Sequence, residues 1–396
     1  MRSLALRIVE PWRQLGELPF SVWAACLTTL INRAGTMALP FLALFLTEHH
    51  HYSESRAGFA VACYGFSGFV TAPYAGRLTD RIGPARFLIC TLAVSGALLL
   101  VVPLTRRYGL LVAVVALWAA FNEGARPATF ALVTDSVPPH RKRSAITLYR
   151  TAVNLGMSFG PAIGGVLAAA SYYWVFSVDA LTTWLAALFL AWSLRALPPH
   201  HPHPDHARTR VLGDRRIWLY WFAMLPVMVV FFQQTSSMAL FIVRDLHLGP
   251  SAYGILFTLN TAIVLLLEIP LSARTAHWPY RMSLPIGAAL IATGFGGLWL
   301  CSDIWSVALT VVVWTFGEML LIPASSAYLS DLAPAGRGGE YGSIQSALIS
   351  ISMMLAPSIG TSVLEHAGPK VLWTGSWIAG GLSVVLLATL PSSRGS

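Results

Sequence analysis

Residues 117–165 read LWAAFNEGARPATFALVTDSVPPHRKRSAITLYRTAVNLGMSFGPAIGG, an apolar run that contains Glu123, turns through a basic loop and ends in glycine-rich sequence. A weaker copy occupies residues 314–361, WTFGEMLLIPASSAYLSDLAPAGRGGEYGSIQSALISISMMLAPSIGT, with Glu318 in the corresponding Phe-x-Glu element. The two copies share an Asp-to-Pro spacing of 26 residues, in Asp135–Pro161 and Asp331–Pro357. Matched spacing in two halves of one chain is typical of a duplicated membrane bundle.

The composition around this repeat is that of an integral membrane protein. Of the 396 residues, 56% are hydrophobic and only 11% are charged, and the mean hydropathy is +0.64, whereas soluble domains carry far more charge. A spanning helix takes about 20 residues, which leaves room for about twelve. Lipid offers no partner to open backbone groups, and the runs lack period-two alternation, so we expect helices. The predicted spans are 19–47, 57–77, 85–104, 109–133, 145–170, 172–194, 217–243, 252–273, 282–301, 305–329, 341–364 and 371–390.

The longest polar stretch, residues 195–216, predicts a cytoplasmic linker that divides the chain. We expect an all-α integral membrane fold with twelve transmembrane helices in two pseudo-symmetric six-helix bundles, at residues 1–194 and 217–396. The linker histidines could bind a metal, but the prolines between them prevent a shared helical face, so we predict a solvated linker and no metal site. These histidines are His200, His201, His203 and His206. The four cysteines lack metal or redox spacing and are interpreted as small core residues.

The net charge of +9 is explained by membrane topology rather than by nucleic-acid binding. Lys and Arg lie in short loops between the apolar runs, and most fall in cytoplasmic segments if the N-terminus is cytoplasmic. This bias predicts a multi-pass protein of the bacterial inner or plasma membrane with both termini inside; Arg106 and Arg107 are the exception. The basic start, residues 1–13, runs into a span too long for a signal peptide, so we expect no cleavable signal.

Charged side chains inside the predicted spans indicate function, because they are costly in lipid. Glu123 and Arg126 are three residues apart, share a helix face and can pair. Glu318 lies among apolar residues, which favour the protonated carboxyl, so it can exchange a proton near neutral pH. We predict that Glu318 and Glu123 couple transport to protons. The structural alternative is a protonated Glu that hydrogen-bonds a neighbouring helix.

Further polar and aromatic residues of the spans predict a large cavity of mixed character, which suits amphiphilic cargo. Arg33 and Arg150 must face the bundle interior, where they could hold an anionic group or a carboxylate. Glu268 could line the cavity or coordinate a cation. Each neutral polar residue could equally serve as a contact between helices. The candidate cavity residues are Asn32, Arg33, Arg126, Tyr149, Arg150, Gln233, Gln234, Asn260, Glu268 and Trp314.

Two segments are candidates for gating. In the loop between spans two and three, glycines permit a tight turn, Asp80 can accept hydrogen bonds from a helix N-terminus, and Arg81 or Arg86 can reach Asp135. Such contacts would latch the cytoplasmic ends; the alternative is a simple positive-inside turn. In span five, small residues four apart permit close helix packing, and a proline can kink the helix. The candidate gating residues are Gly76, Asp80, Arg81, Gly83, Arg86, Asp135, Gly156, Gly160, Pro161 and Gly164.

These motifs resemble those of the major facilitator superfamily. GRLTDRIG, residues 76–83, matches its G-x-L-x-D-R-x-G signature, although Pro84 and Ala85 replace the two basic residues that usually follow. GMSFGPAIGG, residues 156–165, matches the G-x-x-x-G-P-x-x-G-G antiporter motif of the 12-helix drug/proton branch. The segment Gly317–Leu320 is similar to helix ten of LmrP-type and MdtH-like multidrug transporters. The resemblance implies a latch role for Asp80, and proton coupling and cation binding at Glu318.

We therefore expect a secondary transporter that exports lipophilic or amphiphilic compounds in exchange for protons by alternating access. A small-molecule substrate, protons and membrane lipid are the expected partners. We expect a monomer without nucleic acid or cofactor, driven by the proton gradient. A specific transporter of a sugar, peptide, siderophore or lipid is the nearest alternative. An enzyme would need an ATP-binding loop, a Ser-His-Asp triad or a zinc-ligand set, and a sensor would need a soluble signalling domain; the sequence shows none of these.

Overall fold

The computed structural model describes residues 18–138, 141–193, 215–275, 277–332 and 338–390. Some side chains within these ranges are not described, namely those of residues 72, 73, 80, 142–144, 147, 269, 273, 330 and 338–344. The predicted linker, 195–216, lies outside the described residues except for its last two positions, and so do the histidines within it. The absence of a metal site at those histidines therefore stays a prediction from the sequence.

The described chain is helical, and it contains no strand within those ranges. The α-helices are α1 (Phe20–Ala34), α2 (Ala38–Leu44), α3 (Glu54–Ile82), α4 (Pro84–Val101), α5 (Tyr108–Asp135), α6 (Lys142–Ala170), α7 (Tyr172–Ser193), α8 (Arg215–Phe232), α9 (Ser237–Leu240), α10 (Gly249–Thr275), α11 (Tyr280–Gly296), α12 (Ile304–Leu332) and α13 (Gly338–Ala388). Short π-helices follow α2 at Phe45–His49 and α9 at Phe241–Asp245. The 3-10 turns are Val102–Leu104, Gln233–Thr235 and Gly297–Leu300. The expectation of an all-helical membrane protein is confirmed.

Ten helical segments of the described ranges are long and apolar enough to cross a membrane. The predicted span 57–77 lies in α3, which is not among the ten; the side chains of residues 72 and 73, inside this span, lie outside the described set. The predicted spans 341–364 and 371–390 both lie in α13, which is interrupted at Gly368 by a non-helical conformation (φ 83°, ψ 170°). The count of twelve spans and their arrangement in two bundles stay a proposal.

The chain forms two compact units, each made of segments that are not consecutive in the sequence. The first contains the described residues within 1–38, 70–163 and 171–205, and the second contains those within 39–69, 164–170 and 206–396. The predicted division at the linker stays a proposal.

The first unit is built around α4, which packs against α5 and α7, while α1 packs against α7. The break between α1 and α2 is held by Asp179, whose carboxylate accepts hydrogen bonds from the backbone N–H groups of Met37 (3.1 Å) and Ala38 (2.9 Å). These N–H groups open α2 and have no partner within the helix, so the buried carboxylate caps it.

The second unit is built around α11, which packs against α12 and α13. Glycines permit the close approach of α11 and α12. A Cβ at Gly317 would lie 2.7 Å from the Gly287 carbonyl oxygen, and one at Gly294 would lie 2.6 Å from Trp314 Cβ. Since real Cβ atoms do not approach other heavy atoms so closely, these helices can pack this tightly only with glycine at the crossing.

The internal repeat also appears as a structural detail. The π-helices start at Phe45 and Phe241, 196 residues apart. Each is followed by a histidine in the left-handed region, His51 (φ 55°) and His247 (φ 54°), also 196 residues apart. Non-glycine residues rarely adopt this conformation. The same offset separates Pro161 from Pro357, so the repeat extends well beyond the motifs that first indicate it.

Candidate functional site

The central feature of the second unit is a hydrogen-bonded carboxylate between α10 and α12. Asn260 Nδ2 on α10 donates to Glu318 Oε2 at 2.9 Å and to Thr315 Oγ1 at 3.0 Å. Thr315 and Glu318 lie three residues apart on α12, so both face Asn260. Asn260 and Thr315 are buried, and Glu318 is partly buried. Both N–H groups of the Asn260 amide are therefore used, and Glu318 is held in a single place.

A second carboxylate lies near this site. Glu268 is eight residues beyond Asn260 on α10, and it is close enough to Glu318 for their charges to interact. The structure thus brings together three sequence candidates: Asn260, Glu268 and Glu318.

Three other candidates of this unit make structural contacts. Trp314 is 1% exposed, and its ring packs 6.0 Å from that of Phe231 and 5.3 Å from that of Phe295. Gln233 Oε1 accepts a hydrogen bond from Ser237 Oγ at 2.7 Å, and the Gln234 carbonyl accepts one from Tyr253 Oη at 2.8 Å. Both glutamines are buried where α8 gives way to α9. A contact of Trp314, Gln233 and Gln234 with cargo stays a prediction.

The first unit contains a small polar cavity of about 20 Å³ among α1, α4, α5 and α6. It brings together the four candidates Asn32, Arg33, Arg126 and Tyr149. The other lining residues are Thr28, Thr29, Leu88, Leu92, Ala125 and Thr129. The remaining candidate of this unit, Arg150, is exposed and lies outside the lining.

The predicted pair of Glu123 and Arg126 is present at the edge of this cavity. Arg126 Nε lies 3.0 Å from Glu123 Oε2, and the Glu123 side chain is the more buried of the two, 15% against 48% exposed. One turn of α5 fixes the pair, as its spacing predicts. Asn32 Nδ2 donates to Thr183 Oγ1 at 3.1 Å and so ties α1 to α7.

The predicted latch is not formed as expected. Among the described side chains, neither Arg81 nor Arg86 forms an ion pair with Asp135, and all three are exposed. The side chain of Asp80 lies outside the described set. These cations sit at helix ends that open to solvent, where an ion pair gains little. The pairing with Asp135 is absent among the described side chains, and both this pairing and the role of Asp80 stay predictions.

The loop glycines differ in their roles. Gly83 has φ 91° and precedes α4, so a tight turn that requires glycine is present. Among the described residues, a Cβ at Gly76 would meet nothing within 4 Å, so Gly76 mediates no close approach to a described helix.

The antiporter-like segment of α6 packs closely on α1. A Cβ at Gly156 would lie 2.5 Å from Arg33 Cβ, and one at Gly160 would lie 2.6 Å from the Thr36 carbonyl oxygen. Pro161 and Gly164 are buried in the same helix. Close packing is therefore present at Gly156 and Gly160, while the packing role of Pro161 and Gly164 and the gating role of all four stay predictions.

A charged cluster that sequence reasoning missed lies in the second unit. Arg244 Nη1 is 2.8 Å from Glu54 Oε1, and Arg244 Nε is 3.4 Å from Glu48 Oε1. Beside it, the Ser55 N–H donates to Glu365 Oε2 at 2.6 Å. Burial raises the pKa of the Glu54 carboxyl above its ordinary value, while the Arg244 charge acts in the opposite sense. Charges at helix ends are unremarkable in a sequence, but Glu48 and Arg244 are 196 residues apart, and the repeat offset could have indicated the pair.

A multi-pass helical chain with charges buried among its helices is the architecture of a membrane transport protein. The chain matches the model of the Major Facilitator Superfamily over residues 25–249 and 221–394. It belongs to that superfamily, whose members are transporters rather than enzymes.

Characterised and uncharacterised relatives agree with this assignment. The chain is 24% identical to the uncharacterized MFS-type transporter YqjV of Bacillus subtilis over 84% of this chain and 83% of that protein. It is 25% identical to Multidrug resistance protein 1 of Bacillus subtilis over 83% and 85%. It is 23% identical to a Na(+), Li(+), K(+)/H(+) antiporter of Planococcus maritimus, also over 83% and 85%. These relatives support a place in the drug/proton antiporter branch.

Proposed function

We propose that this protein exports lipophilic or amphiphilic compounds from the cytoplasm in exchange for protons, by alternating access. The observation that carries the proposal is the Glu318 carboxylate, which Asn260 holds at 2.9 Å with Glu268 in electrostatic reach. A carboxylate among apolar helices costs free energy, so its presence there indicates a function. Carboxylates of this kind form proton relays in transporters.

Protonation of Glu318 would change its contact with α10. The ionised carboxylate accepts from Asn260 Nδ2, whereas the protonated group needs an acceptor for its own O–H, so the two forms favour different arrangements of α10 and α12. Glu123 offers a second proton site, since its protonation would weaken the ion pair with Arg126. Cargo and proton would then compete for the same groups, which is the basis of exchange.

The setting follows from the sequence. We place the protein in the bacterial inner or plasma membrane with both termini in the cytoplasm, as a monomer that uses the proton gradient and no cofactor. The relatives named above leave two cargo classes to compare, drugs and alkali cations. A specific metabolite transporter remains the alternative that the sequence raises.

The test is cargo uptake into liposomes that contain the purified full chain and have an acidic interior. We expect a lipophilic dye to accumulate while protons leave, and a protonophore to abolish the accumulation. The same vesicles are offered labelled Na⁺, a sugar and a dipeptide. Accumulation of Na⁺, the sugar or the dipeptide instead of the dye would contradict the proposed cargo class. Dye uptake at the same rate with and without a pH gradient would contradict proton coupling.

A further inference from the structure

The cavity of the first unit contains a cation whose charge is not matched by a direct contact. In the described part of the chain, no hydrogen bond or ion pair reaches the guanidinium of Arg33. Asp179 interacts with it electrostatically, but Oδ2 of that carboxylate accepts from the backbone N–H groups of Met37 and Ala38, and Oδ1 accepts from Thr183 Oγ1 at 3.5 Å. Arg33 is partly buried, and its guanidinium carries five donors and no acceptor, so the part of it that lines the cavity favours an acceptor there.

A second polar group in the same cavity also lacks a partner. Thr28 is 2% exposed, and its Oγ1 makes no hydrogen bond within the described ranges. The neighbouring threonines are satisfied, because Thr29 Oγ1 donates to the Ala25 carbonyl and Thr129 Oγ1 donates to the Ala125 carbonyl. A buried hydroxyl without a partner is uncommon and costs free energy. One hydroxyl and one cation on α1 thus line a common cavity, and neither makes a side-chain hydrogen bond within the described ranges.

The rest of the lining decides what kind of group fits there. Arg126 is engaged by Glu123, so Arg33 is the charge available to a ligand. Leu88 and Leu92 of α4 form an apolar wall. The volume of about 20 Å³ admits one small group rather than a whole cargo molecule. A single water would satisfy Thr28, but it would leave the charge of Arg33 unmatched.

We propose that this cavity is a subsite for the anionic head group of the cargo, a carboxylate that Arg33 and Thr28 bind while its apolar body extends along α4. The inference rests on the proposed function and narrows it, since the favoured cargo would be an amphiphilic organic acid or zwitterion. A guanidinium can hold both oxygens of a carboxylate at once, which gives direction as well as affinity.

The test is equilibrium binding to the purified full chain of three probes that share one body: 4-phenylbutyrate, 4-phenylbutylamine and 4-phenylbutanol. We expect only the anion to raise the melting temperature in a saturable way. Arg33→Gln should weaken its binding at least about tenfold, and Arg33→Lys should restore part of it. Thr28→Val should weaken binding by several fold. Arg107→Gln removes an exposed charge outside the cavity and should change nothing.

Several results would overturn the inference. These are equal binding of the amine, anion binding that survives Arg33→Gln and Thr28→Val, or saturation by chloride that excludes the carboxylate. If Arg33→Gln fails to fold, Arg33→Lys and Thr28→Val still decide. Dye accumulation driven by the pH gradient, without anion binding, would leave the proposed function standing and remove this subsite. Anion binding without proton-driven uptake of any cargo would support the subsite and contradict the proposed function.

Discussion

Glu48 and Arg244 occupy equivalent positions of the internal repeat, and they are paired with each other, with Arg244 Nε 3.4 Å from Glu48 Oε1. The stronger contact of the same guanidinium is with Glu54, at 2.8 Å. Glu54 is also the more buried acid, with 14% of its side chain exposed against 39% for Glu48. Under the predicted topology this cluster lies at the outward-facing end of the helices. Ion pairs that break and re-form there would accompany the proposed alternating access.

The two members of the Arg244–Glu54 pair should respond differently to removal. Arg244→Gln leaves the partly buried Glu54 without its cation and should destabilise the protein by about 1 kcal/mol. Glu54→Gln removes a carboxylate whose Oε2 is buried without a partner among the described residues, so it should be neutral or stabilising. Thermal unfolding of both variants and the double variant in one detergent checks this. Glu48→Gln is the control and should have little effect; a larger loss for Glu54→Gln than for Arg244→Gln would contradict the account.

The contribution of Glu54 should depend on pH in a defined direction. Burial raises the pKa of this carboxyl above its ordinary value of 4.5, so the folded chain binds the proton more tightly than the unfolded chain. The associated stability is present below the ordinary pKa and is lost as the pH rises through the folded value. The melting temperature of the wild type should therefore rise relative to Glu54→Gln as the pH is lowered from 7.5 towards 5. Arg244, Asp245 and Glu365 also act on Glu54, but they are common to both proteins. A constant difference across this range would refute the assignment.

Packing of α6 on α1 should tolerate no side chain at Gly160. An added methyl group would meet the Thr36 carbonyl oxygen at 2.6 Å, and backbone cannot move aside cheaply. We expect Gly160→Ala to cost about 1–3 kcal/mol and to lower the yield of folded protein. Gly109→Ala is the matched control, since a Cβ there meets nothing within 4 Å. Equal melting temperatures for the two variants would show that the helices separate easily at this crossing.

Asn260 should be required for proton coupling but not for folding. Asn260→Ala removes the donor to Glu318 Oε2 and should lower proton-driven dye accumulation several-fold, because the carboxylate loses its only side-chain hydrogen bond among the described residues and with it its fixed position. Thr315→Val is the control, since it spares the contact between Asn260 and Glu318 and should lower the rate less. The melting temperature of each variant shows whether a loss of transport reflects unfolding. A greater loss for Thr315→Val would move the essential contact from Glu318 to Thr315.

The spacing of residues along the sequence predicted those features that are formed within a single helix. The pair of Glu123 and Arg126 follows from a three-residue spacing, and the glycines of α6 follow from a four-residue one. The sequence also singled out Asn260 and Glu318, but it could not show that they touch, because their helices are far apart in the chain. Which face of α10 meets α12 is decided by packing, including the contact of α11 and α12 at Gly317.

Other features could not be predicted because the same residue types serve two purposes. Gln233 resembles a ligand contact in sequence but holds Ser237 in the break after α8. Glu54 and Arg244 resemble ordinary helix-end charges, and only the fold brings them together. The partner of an exposed charge such as Arg81 is hard to predict from the sequence, because an exposed ion pair gains little free energy.

The central claim, that Glu318 carries the coupling proton, is tested most directly by comparing two transport modes in Glu318→Gln liposomes. Glutamine resembles the protonated acid and cannot release a proton. We predict that the variant loses dye accumulation driven by a pH gradient but keeps exchange of labelled for unlabelled dye without one. Accumulation at the wild-type level in this variant would contradict the account and place the coupling proton elsewhere.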